Sequence, residues 1–270
     1  MACTRDKTLI KNELIRYISS LGIDVKTETK ARGNKGFFKE GRIDISKTLD
    51  DESAVKTIVH EFTHYINHKI DKKLKSLELL FGEDSQELRE ELLSVTMFVD
   101  KNSNCEKLNK ERENLKTKIE ELLEEIKSNF PDYSPDGDLK EFKRYAKGTD
   151  LIYLEKYDRV KVRSWKSDKT YSLSDIKQDF PDIPDVFVTY LNLKSKQRKR
   201  AKISRRITKL NKYYNEPCEL FARFIEGIYL DIDKVKELAP MAYEKFLEKY
   251  NSHHYKCLPE LFSILRVIVW

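Results

Sequence analysis

The sequence predicts an α+β fold, mainly helical, with a small sheet near its start. Three observations predict it. Apolar residues recur at helical spacing through most of the chain, beginning with Leu9, Leu14, Ile15 and Ile18. The run from Gly36 to Ser46 reads as one extended segment, with Ile43 and Ile45 alternating with polar neighbours as a half-buried strand requires. Between Pro131 and Pro184, Pro, Gly, Asp and aromatic residues punctuate short β-like runs such as Arg159 to Arg163.

Taken in order, the first helix stops at Gly22, and the turn-rich stretch from Ala31 to Gly36 leads into the extended run. Asp50 or Asp51 can cap the next helix, whose apolar stripe is Val55, Ile58, Val59, Phe62, Ile66 and Ile70. Another helix covers Ser85 to Val99, with Leu88, Leu92, Val95 and Val99 in register. From residue 105 to 128, Leu108, Leu115, Ile119, Leu122 and Ile126 occupy heptad a/d positions. Such a short heptad run is marginal as a free coiled-coil arm, which favours a helix packed on its own domain. Helical spacing returns at Ile203, Ile207, Leu210 and Tyr214, then at Leu220, Phe221, Phe224 and Ile228, and a last helix is expected near Met241 to Tyr250.

The 270 residues allow one large domain or two small ones. With 36% charged and 39% hydrophobic residues, the composition excludes a disordered chain and a membrane-spanning one. Residues 1–7 lack the apolar core of a secretory signal. The longest apolar run, Leu261 to Trp270, is interrupted by Arg266 and is about half a membrane span. The four cysteines (Cys3, Cys105, Cys218 and Cys257) lie far apart without paired spacing. Reduced thiols and a cytoplasmic location are expected. The net charge is +6, yet nine of the sixteen residues from Lys194 to Lys209 are basic and none is acidic, which leaves −3 for everything else. That stretch could grip nucleic-acid phosphates or be the solvated face of a helix.

His60-Glu61-Phe62-Thr63-His64 lies inside the helix that follows Asp50. Residues four apart share one helical face, so two imidazoles at this spacing can reach one Zn²⁺, and Glu61 can act as general base toward a metal-activated water. With 5 His in the chain, a shuffled sequence would contain this pattern only about 0.007 times. His68 continues the spacing but lies about 12 Å from His60 by helical rise, too far to share a tetrahedral ion with both other imidazoles. It reads as a rim residue, and His253 and His254 have no supporting pattern. Two carboxylates compete as third ligand. Glu91 opens Glu91-Leu92-Leu93-Ser94, and Glu219 opens Glu219-Leu220-Phe221-Ala222. Only Glu219 has tyrosines just upstream, Tyr213 and Tyr214, that could donate to an oxyanion.

The segments HEFTH, YYNEPCELFARFIEG and KVKELAPMAYEKF resemble the zincin metallopeptidases of the anthrax lethal factor type, whose relatives occur in bacteriophage and mobile-element proteins. The resemblance covers roughly residues 30–70 and 205–250 and departs from the family in the long gap between His64 and Glu219. It implies a zincin-like fold with a small mixed sheet, a metal site of His60, His64 and Glu219 holding Zn²⁺, Glu61 as general base, and Tyr213 or Tyr214, with Tyr213 preferred, as oxyanion donor. It also implies that the strand from Gly36 to Ser46 is the edge that pairs with an extended substrate. The catalytic domain is then 1–70 with 205–270, and residues 71–204 are an insertion made of a helical arm at about 85–130 and a mixed segment at about 131–204. The expected activity is zinc-dependent hydrolysis of peptide bonds in a protein or peptide substrate. The competing expectation is a nucleic-acid-associated or protein-binding module with a structural or vestigial zinc site, using the basic stretch from Lys194 to Lys209.

Overall fold

Helices carry most of the chain in the computed structural model, which describes residues 2–29, 35–101, 103–131, 139–163 and 168–270, with side chains from residue 7 onward. Most of the predicted turn-rich stretch before Gly36 lies outside the described residues, as does the Cys3 side chain. In chain order the elements are α1 (Ala2–Ser20), β1 (Asp24–Thr29), β2 (Gly36–Lys39), β3 (Arg42–Ser46), α2 (Asp51–Ile70), α3 (Glu78–Phe81) and α4 (Gln86–Val99). Then come α5 (Glu106–Asn129), α6 (Lys140–Ala146), β4 (Arg159–Arg163), β5 (Asp168–Ser172), α7 (Ile176–Asp179) and α8 (Asp185–Tyr214). Last are α9 (Pro217–Leu230), α10 (Ile232–Leu238), α11 (Pro240–Asn251) and α12 (Leu258–Leu265). The protein is α+β, mostly helical, with a small mixed sheet. No helix among the described residues is long and apolar enough to cross a membrane.

The chain divides into two units, one of Met1–Asn104 with Leu210–Trp270 and one of Cys105–Lys209. The insertion therefore begins at residue 105, not at 71. The reason is α4, which buries Leu88, Leu92 and Val95 in the same apolar core as Phe62 of α2 and Phe224 of α9. In the second unit, Ile119 and Ile126 of α5 join Phe142, Leu154 and Tyr190 in a separate core, so the heptad positions are spent on packing within the unit. Two cations of the basic stretch, Arg198 and Lys199, are ion-paired with Asp158 at 2.5 and 3.1 Å. Cys105, Cys218 and Cys257 are free thiols.

The sheet of the first unit has the order β1-β3-β2, with β1 parallel and β2 antiparallel to β3. The extended run from Gly36 to Ser46 is thus a hairpin, not one strand. Its turn is Glu40-Gly41, both with positive φ (47° and 82°), the two-residue geometry that matches the strand twist and that Gly41 makes accessible. β2, not the whole run, is the edge strand. The α1 stripe also lies one position over from the expectation: Ile10, Leu14 and Ile18 are buried while Leu9 is exposed. The last helix is α12, formed by part of the apolar run that closes the sequence.

Asp50 starts α2, its carboxylate accepting the Ser53 N–H at 2.7 Å. The helix then lays its apolar stripe on the sheet and on α1. Gly36 sets how close β2 comes: a Cβ there would lie 2.6 Å from Thr57 Cγ2 and 2.9 Å from the Asp44 carbonyl oxygen. This contact sits one helical turn before Glu61. Gly36→Ala should lower stability by about 1–3 kcal/mol through overpacking. Chemical denaturation reads this, and an unchanged midpoint would show that β2 is not seated on α2 as described.

Candidate metal centre

Two helices face each other across the centre, each with one polar stripe on an otherwise apolar body. On α2, His60 and His64 are a turn apart, with Val59 and Phe62 turned into the core. On α9, which Pro217 opens at its first turn, Glu219, Arg223 and Glu226 follow helical spacing along one flank, while Leu220, Phe221 and Phe224 are buried in the core. Glu219 is in the first turn of α9, where the helix dipole favours a carboxylate. Asn67 ties the helices together, its Nδ2 donating to the Cys218 carbonyl at 3.2 Å.

The result is a tight cluster. His60 Nε2 and His64 Nε2 are 3.2 Å apart. Glu219 Oε2 is 3.5 Å from the first and Oε1 is 3.2 Å from the second. Donor atoms bound to one tetrahedral ion at about 2.0–2.1 Å are separated by about 3.3 Å, so the three side chains already stand at the spacing an ion requires. His60, His64 and Glu219 are the group that can hold a metal ion among the described residues. Two further observations fit a cation. Glu219 Oε2 is buried without a hydrogen-bond partner. Three buried carboxylates, Glu61, Glu219 and Glu226, share the centre with one permanent cation, Arg223.

Behind the ligands lies a chain of charges. Glu226 Oε2 is 3.2 Å from His60 Nδ1, off the hydrogen-bonding angle but close enough to hold the ring. Arg223 Nη1 donates to the same oxygen at 2.8 Å, and its Nη2 is 3.5 Å from Asp100. A carboxylate on the far nitrogen of a ligand histidine fixes its tautomer and strengthens it as a donor. Spacing alone gave Glu226 no role, because a carboxylate two turns after Glu219 looks like any helix-surface acid.

Burial by itself would lower the His60 imidazole, but the adjacent Glu219 and Glu226 carboxylates outweigh it and lift the group to about 9. Burial pushes Glu219 upward, yet the neighbouring His60 and His64 imidazoles hold its carboxyl well below the usual range. Glu61 is raised, chiefly by burial, against the opposing pull of the two imidazoles. The backbone N–H of Phe38, on edge strand β2, opposes that rise, so β2 borders the site.

The other sequence candidates separate cleanly. Glu91 is no ligand: its two oxygens accept the N–H groups of Met241 and Ala242 at 3.3 and 2.8 Å, capping α11. Tyr213 is near Glu219, and burial together with that carboxylate raises its hydroxyl. Tyr214 turns away and donates to Asp100 at 2.9 Å. His68 is exposed with its ring edge on Phe38, and His254 is bonded to the Leu79 carbonyl. No protein-family model, curated protein or solved structure matches this chain.

Because His60 stays protonated up to about 9 in the metal-free protein, a metal ion must displace that proton. Affinity should rise about tenfold per pH unit from 7 toward 9, with about one proton released per ion. Glu226→Ala should weaken binding by about 10–100-fold at neutral pH. Chelator competition across pH reads both, and an affinity that is flat between pH 7 and 9 would contradict the linkage.

Proposed function

We propose that this protein is a zinc-dependent metallopeptidase of the zincin kind, acting on a protein or peptide substrate. One juxtaposition carries the reading. Glu61, buried and raised, lies between the two candidate ligand histidines in sequence and under the backbone of an edge strand in space. A purely structural zinc site has no use for an acid–base group held in that position.

Two imidazoles and one carboxylate are a donor set used by catalytic zinc. When bound, zinc would supply a Lewis acid for the substrate carbonyl and lower the pKa of water toward neutrality. The remaining work falls to side chains of the protein. Glu61 takes the proton of the attacking water and passes it to the leaving amine. Its environment suits both halves: burial makes it a stronger base than an exposed glutamate, and the neighbouring imidazoles keep it from being locked in the acid form. Tyr213, now on Glu219, has its hydroxyl at the rim of the ligand cluster, from which it donates to the carbonyl oxygen as negative charge develops there. β2 has no strand beyond it among the described residues, and its outer edge offers backbone groups to an extended chain.

Glu61→Gln keeps the shape of the side chain and removes the base. This variant should retain bound zinc and lose peptide cleavage by about 10²–10⁴-fold. Full cleavage by the variant would refute the assignment of Glu61.

A further inference from the structure

A groove of about 390 Å³ starts at His64 and Phe38 and runs past the end of α2 to Lys75. Its lining has a marked charge bias. Lys72, Lys73 and Lys75 line it against one acid, Asp71, whose Oδ1 is engaged by the backbone N–H of Lys73 at 2.8 Å. The described ion pairs include none of these three lysines.

On the reading of the site as a peptidase, we infer that this groove selects its substrate: a peptide segment with an acidic side chain, seated among Lys72, Lys73 and Lys75. From His64 to the end of α2 at Ile70 is about 9 Å by helical rise, the span of about three extended residues. The acidic side chain therefore stands about three positions from the scissile bond. A peptide fits better than a nucleic acid. The groove begins at the edge strand, and its cations are lysines without the forked geometry of arginine.

The test measures binding to the full chain carrying Glu61→Gln and loaded with Zn²⁺, by fluorescence anisotropy. The probes are an acidic decapeptide and its counterpart with Gln and Asn for Glu and Asp. The acidic peptide should bind about tenfold more tightly at low salt, and the preference should shrink as salt rises. Adding Lys72→Glu, Lys73→Glu and Lys75→Glu should abolish the preference with helical circular dichroism unchanged. Equal binding of the two peptides, an unaltered preference in the triple variant, or displacement by a random oligonucleotide through the same lysines would overturn the inference. Acidic-peptide binding by a chain that cuts no peptide would refute the peptidase reading and leave the groove's selectivity standing. Cleavage with no acidic preference would do the reverse.

Discussion

Burying charge between α2 and α9 is the constraint around which the first unit is arranged. His60, Glu61, Glu219 and Glu226 are all buried, and each would be costly in an apolar interior if left alone. None is alone. Glu219 faces the two imidazoles, Glu226 is held by Arg223, and Glu61 lies beside the same imidazoles. These pairings work only if the two helices and edge strand β2 stay in register. That register comes from ordinary packing: the α2 stripe on the sheet and α1, Phe221 and Phe224 of α9 in the common core, Gly36 against Thr57, and the Asn67 bond to Cys218.

The same confinement gives the centre its chemistry. A surface glutamate beside two histidines would be a weak base with solvent for company. Here burial raises Glu61, while the paired carboxylates lift His60 to about 9 in the metal-free protein. The cluster thus holds a proton when empty of metal and must surrender it to become a ligand set. The network from Glu226 through Arg223 to Asp100 and Tyr214 extends this control to α4 and to the last turn of α8, so the ligands are braced from behind over several elements.

Much of this was legible in the residues. The α2 stripe and its Asp50 cap, the pair at His60 and His64, and the helix over Ser85 to Val99 follow from periodicity that tertiary contacts reinforce. Choosing Glu219 over Glu91 rested on neighbouring tyrosines, and the structure gives the physical reason: Glu91 is committed to backbone N–H groups of α11. What stayed hidden depends on long-range geometry. Glu226 acquires its place only because α9 lies against α2. The hairpin at Glu40-Gly41 is hard to read in the sequence because a glutamate with positive φ is uncommon. β1 carries a single strong apolar residue, Val25, among polar ones, and pairs with β3 chiefly through backbone. The boundary at residue 105 could not be seen because α4 and α5 are both amphipathic, and sequence does not say which core each one joins.

The central claim is that His60, His64 and Glu219 together hold a metal ion. Elemental analysis of the purified chain tests it most directly when the wild type is compared with Glu219→Ala and Glu91→Ala. The account predicts one ion per chain in the wild type and in Glu91→Ala, and close to none in Glu219→Ala. Equal metal in Glu219→Ala and the wild type, or its loss from Glu91→Ala alone, would contradict it.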